Sequence, residues 1–142
     1  MWQKSYTQTF KGVTKEQIWK TWSDVTNWPS WDEDIESATL EGPFKKGSFF
    51  TMKPKGWKPV RLELTEAIKN KTYTDCTRFL GATMYGCHEV EDIKGGVKLT
   101  TTMTVTGILS FLWIRLVAQN IVETLPIQMA GLVRIAKSLP KK

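Results

Sequence analysis

His88 is the chain's single histidine, and so its one side chain whose ordinary pKa lies near neutrality. Strict alternation along Thr83–Glu91 groups it with Met84, Gly86 and Val90, and Val90 reads as core-facing. On the preceding segment Tyr73, Asp75, Thr77 and Phe79 share one parity. On the following segment Thr101 shares a parity with Val97, Leu99 and Met103. If the three segments are neighbouring strands, Asp75, Thr77, His88 and Thr101 form an inward polar cluster. Such a cluster orients a ligand carbonyl or moves protons, with His88 and Asp75 as the acid/base candidates. The competing reading is a histidine satisfied in the core or on the surface. A single-residue bulge would also turn the parity over.

Aromatic residues are the second signal. The chain has seven tryptophans, and Trp2, Trp19, Trp22, Trp28 and Trp31 all precede residue 32. Trp28 and Trp31 flank Pro29. They form either an aromatic gate over a ligand or a plug between helix and sheet, since aromatic rings bury large areas. Asp32, Glu33, Asp34 and Glu36 could attract a cation, but they read better as a solvated acidic turn. Lys45, Lys46, Lys53, Lys55 and Lys58, with Trp57 among them, could meet an anionic head group or membrane; a solvated loop is the plainer reading. One histidine and two separated cysteines supply no zinc spacing. Cys76 and Cys87 fall on adjacent strands and read as free thiols in a reducing, cytoplasmic setting. No GxSxG, P-loop or GxGxxG occurs, so hydrolase, nucleotide and cofactor readings have no support. With 20 Lys and Arg against 14 Asp and Glu, the net charge is +6. The basic residues are dispersed, which disfavours nucleic acid.

The elements that must position these groups follow from periodicity. A strand spans Trp2–Phe10. A helix opens at Thr14, where Thr14 and Gln17 fit a capping box, and it turns Ile18, Trp19 and Trp22 inward. Pro29 ends it, with a short second helical turn near residues 28–31. Strands follow at Ile35–Leu40, Gly47–Lys53, Val60–Leu64, Lys71–Leu80, Thr83–Glu91 and Val97–Thr106. A long helix then runs from Ile108 to about Ser138. Its apolar stripe is Phe111, Ile114, Ala118, Ile121, Leu125, Met129, Leu132 and Ala136. Pro126 predicts a kink near Val122–Pro126. The helix start is apolar nearly all round, so something beyond the sheet should cover Leu109, Trp113 and Leu116. The apolar run Gly107–Ala118 is too short and too polar to span a bilayer, so no transmembrane segment is expected. The class is α+β, one domain over residues 1–142: a bent antiparallel sheet of about seven strands around one long helix. A pocket is expected where sheet and helix diverge.

Val13–Gly56 resembles the opening of the START-like (SRPBCC) superfamily, in its polyketide cyclase/dehydrase-like branch. The resemblance is carried by Glu16, Ile18-Trp19, Ser23-Asp24-Val25, Asn27-Trp28-Pro29-Ser30-Trp31 and Leu40–Gly47. It continues through Gly95–Leu99, Val105-Thr106-Gly107 and the terminal helix. It implies a helix-grip fold and a cavity for a lipid- or polyketide-like ligand. The expected wall is Trp28, Trp31, Tyr73, Thr77, Phe79, Met84, His88, Thr101, Met103, Ile121 and Leu125. No metal or cofactor is expected. A cyclase or dehydratase using the same cavity is the first alternative. An interaction module is the second, with the start of the last helix as the face for a second copy or a membrane surface.

Overall fold

The computed structural model describes residues 1–141. Strand β1 (Trp2–Lys11) leads into α1 (Lys15–Ser23) and a 3₁₀ helix (Val25–Ser30). Six strands follow: β2 (Ile35–Glu41), β3 (Phe49–Pro54), β4 (Val60–Ile68), β5 (Thr72–Phe79), β6 (Ala82–Ile93) and β7 (Gly96–Thr106). Helix α2 (Ser110–Lys137) closes the chain. All seven strands form one antiparallel sheet in the order β1-β7-β6-β5-β4-β3-β2. Each strand from β2 to β7 pairs with its chain neighbour, and β1 adds along β7. This is the α+β layering that the element order implied and the helix-grip arrangement that the resemblance implied.

Local chemistry sets the elements. Thr14 accepts from the Gln17 backbone N–H at 3.1 Å, and the Gln17 side chain accepts from the Thr14 N–H at 2.9 Å, completing the capping box. The same Gln17 amide donates to the Leu139 carbonyl at 2.7 Å. One buried glutamine therefore both starts α1 and ties down the end of α2. In β7 the side chains of Val97, Leu99, Thr101, Met103 and Val105 are all buried, and those between them are half-exposed. The β5–β6 and β6–β7 registers run unbroken. Register shifts fall instead in β2, between Ile35 and Ser37, and in β4, between Leu64 and Glu66. Such irregularities bend strands, which suits a sheet that curves round a helix.

Two separate apolar clusters hold α2. Near its C-terminal end Met129, Leu132, Val133 and Ala136 belong to a cluster with α1, four of the tryptophans and strands β2 to β7. Near its start Ala118, with Trp113, Ile114, Val117, Ile121 and Val122 around it, packs on Ala82, Met84, Met103 and Val105. Leu125 lies between, fully buried and in neither cluster.

Three expectations for this helix need correction. Helical structure is continuous through Pro126, and the departure from α geometry is a π segment at Ile114–Ala118. A widened turn upstream is the other common source of helix irregularity. Phe111 is 69% exposed and lies off the buried stripe. Of the three residues expected to need cover, Leu109 packs on Gly81, and Trp113 stacks on Phe79 at 4.3 Å and donates to the Leu80 carbonyl. Leu116 stays 57% exposed, beside exposed Ile108 and Leu112. By length and mean hydropathy (1.2) Ser110–Lys137 would also pass as a membrane-crossing helix. Its role against the sheet accounts for the buried part of that apolar surface.

The α2 backbone approaches the Trp31 backbone closely at Gly131, where an added Cβ would lie 2.2 Å from the Trp31 carbonyl oxygen. Alanine is the better helix former by ~1 kcal/mol, but here it would force helix and loop apart. We expect Gly131→Ala to lower the unfolding free energy by about 2 kcal/mol in urea denaturation. A stabilised variant would contradict this packing.

Candidate ligand site

Between the two clusters, sheet and helix leave a cavity of about 350 Å³. Its lining includes Trp28, Trp31, Tyr73, Thr77, Phe79, Met84, His88, Thr101, Met103, Ile121 and Leu125. Asp75 lines it too. Alternation along β5, β6 and β7 delivers these side chains. Tyr73 lies opposite His88, His88 opposite Thr101, and Asp75 opposite Gly86.

The polar centre is Asp75, His88 and Thr101. His88 Nε2 is 3.1 Å from Asp75 Oδ2, and the Thr101 hydroxyl is 3.3 Å from His88 Nδ1. The imidazole stacks on Tyr73 at 4.4 Å, with Trp22 against it edge-on at 6.2 Å. Burial, with the charges of Asp75 and then Asp32 added, pushes the Tyr73 phenol well above its ordinary range. Thr77 lies further along the same face, and its buried hydroxyl has no partner among the described residues. Gly86 makes room for the pair: a Cβ there would lie 2.9 Å from Asp75 Oδ1 and 3.2 Å from His88 Nε2.

The tryptophans are a plug. Trp28 and Trp31 are 4% and 8% exposed. Trp28 donates to the Trp22 carbonyl at 3.0 Å and packs edge-on against Phe50. The buried Trp31 indole N–H has no partner among the described residues. Both rings form cavity wall and neither is an exposed gate.

Asp32 is a correction. Glu33, Asp34 and Glu36 are exposed as an acidic turn should be, but Asp32 is buried on the cavity wall. Its carboxylate accepts from the Asp34 backbone N–H at 3.0 Å and from the Gln128 amide at 2.9 Å, so it joins the turn to α2. Sequence spacing could not show this, because Gln128 is remote in the chain. Asn120, Thr124 and Gln128, all on α2, are wall residues that the apolar stripe concealed. Of the lysines, Lys53 pairs with Glu36 at 3.0 Å, while Lys45, Lys46, Lys55 and Lys58 are exposed. Lys55 and half-exposed Trp57 border the cavity. Cys76 and Cys87 are free thiols. Among the described residues, no three His, Cys, Asp or Glu side chains gather as a metal site.

No protein-family model matches the sequence, and no curated protein matches it. Solved structures do match. Ara h 8.0201 aligns with a TM-score of 0.77 at 15% identity, over 97% of this chain and 99% of that one. Norcoclaurine synthase from Thalictrum flavum, solved with dopamine and hydroxybenzaldehyde, gives 0.71 at 11% identity, over 99% and 90%. The di-domain ARO/CYC StfQ from the steffimycin biosynthetic pathway gives 0.68 at 16% identity, over 96% of this chain and 50% of that one. The chain thus has the START-like helix-grip fold, and at these identities the likeness extends to the fold alone.

Two outcomes test the site's construction. Gly86→Ala should cost about 1–3 kcal/mol by pressing on the Asp75–His88 pair. In an Asp75→Ala background the cost should shrink, and equal costs in both would show that the carboxylate is not what Gly86 accommodates. For Asp32, burial raises the carboxyl pKa above its ordinary 3.8 against the lowering hydrogen bonds from Gln128 and Asp34. The folded chain then holds this proton more tightly than the unfolded chain. Ionisation therefore costs stability as pH rises from the ordinary value through the raised one. Denaturation across that window should show the stability of wild type minus Asp32→Asn falling with pH, and a rise would contradict burial as the dominant cause.

Proposed function

We propose that the chain binds an apolar or amphipathic small molecule, of lipid or polyketide character, in the cavity between sheet and α2. The observation that carries this reading is the unfilled space of about 350 Å³ at the middle of a helix packed at both ends. That volume lies within the ordinary range of ligand sites, and a mostly apolar wall with a few convergent polar groups is their usual lining. Transfer of apolar ligand surface from water would supply about 25 cal/mol per Å² before the costs of association. The small aromatic molecules held by norcoclaurine synthase show that this fold accommodates such guests in another protein.

Native mass spectrometry of freshly purified protein should show a small apolar adduct, and thermal shift against lipids and polyketide-like compounds should show stabilisation. Ile121→Trp, at a wall residue that is only partly buried, should fold with its melting temperature held, because the added rings enter empty space, and should lose the ligand-induced shift. No stabilisation by any apolar compound would overturn the reading. So would an Ile121→Trp loss of the size that overfilling a closed core produces, about 1–3 kcal/mol.

A second reading, proton-transfer catalysis in the same cavity, is favoured by one observation. His88 lies on the wall with a carboxylate on one ring nitrogen and a hydroxyl on the other. In this reading a polyketide-type guest is held while the Asp75–His88 pair takes up and returns a proton. His88→Gln would then abolish turnover and leave ligand affinity largely intact.

A further inference from the structure

The chain carries 20 basic residues and a net charge of +6, yet among the described residues the buried charge-bearing side chains are two acids. They are Asp32 and Asp75, 8% and 9% exposed, and both line the cavity. No lysine or arginine is buried with them. Lys55, which borders the same space, is exposed to solvent, as is Asp34. Asp32 has only dipoles for partners, the Gln128 amide and the Asp34 backbone N–H. Asp75 meets His88 through Oδ2, and among the described residues its Oδ1 has no hydrogen-bond donor. Glycine at position 86 puts no side chain over that oxygen. His88 offsets at most one of the two charges.

Buried carboxylates without cations are costly, and the cost is relieved by a positive group brought in beside them. The same wall includes Trp22, Trp28 and Tyr73, and aromatic rings attract a desolvated cation. A second, independent observation points to a polar guest. Thr77 and Trp31, 3% and 8% exposed, line the cavity and each buries an unpartnered polar atom, Oγ1 and Nε1. The Tyr73 phenol, raised in pKa first by burial and then by Asp75 and Asp32, lies within reach of both carboxylates' fields.

We propose that the cavity selects a lipophilic cation, a body of one or two rings bearing a protonated amine, whose charge is received by Asp75 with Asp32 as the second acid. The inference rests on the carrier reading above. An alcohol of the same shape gains the apolar transfer and no ion pairing, and a carboxylate meets like charge.

Calorimetric titration at neutral pH with naphthylmethylamine, naphthylmethanol and naphthoate, which share one ring system, separates the two claims. The amine should bind at least about tenfold more tightly than the alcohol, and the carboxylate most weakly. Asp75→Asn should bring the amine down to the level of the alcohol. Alcohol or carboxylate binding as tightly as the amine would overturn the charge preference and leave the carrier reading standing. Amine affinity untouched in both Asp75→Asn and Asp32→Asn would do the same. The wild-type series decides the matter even where a variant fails to fold. If none of the three probes binds, the cation preference falls, and the thermal-shift panel of lipids and polyketide-like compounds decides the carrier reading separately.

Discussion

The architecture depends on holding one long helix at its two ends and leaving its middle unfilled. The C-terminal half of α2 is packed into the aromatic cluster built by α1, the 3₁₀ helix and strands β2 to β7. Its N-terminal part is packed on the methionine and valine side chains of β6 and β7. Polar ties reinforce the distal end: Gln17 to the Leu139 carbonyl and Gln128 to Asp32. Close packing normally removes empty space from a protein interior. Here the two clusters stay separate and the cavity lies between them, walled by members of both.

That geometry explains why polar groups persist on an otherwise apolar wall. Asp75, His88 and Thr101 come from three adjacent strands, with Thr101 directly opposite His88 and Asp75 on the diagonal, opposite Gly86, so their mutual distances follow from ladder geometry. Aromatic neighbours stiffen the imidazole from two sides. In a low-dielectric setting such a cluster is costly unless satisfied. Its own hydrogen bonds meet most of that need, and a guest would meet the rest. Carrier and catalyst therefore draw on one arrangement and differ only in whether the bound molecule reacts.

Much of this was legible in the sequence where local rules dominate. The capping box at Thr14 and Gln17, the inward set of β7, and the shared parity of Asp75, Thr77 and His88 follow from periodicities of helix and strand. They hold because the strands that carry them have no bulge. What escaped was non-local. Asp32 looks like its neighbours Glu33 and Asp34 until Gln128 arrives from the far end of the chain. Pro126 signals a disturbed helix, yet the irregular turn lies at Ile114–Ala118, where packing on β6 and β7 governs. Phe111 fits the stripe by count, but the π segment that follows it breaks the phase, and the ring stays in solvent. Gly131 carries no pattern of its own, because its reason is a carbonyl of Trp31.

The central claim is an unfilled, mainly apolar volume beneath the middle of α2, and diffraction from crystals under xenon pressure tests it directly. Xenon enters dry apolar cavities large enough to hold it. The account predicts xenon density between the β7 side chains Leu99 and Met103 and the α2 side chains Ile121 and Leu125. Well-ordered side chains closing that volume, with no xenon inside, would contradict it.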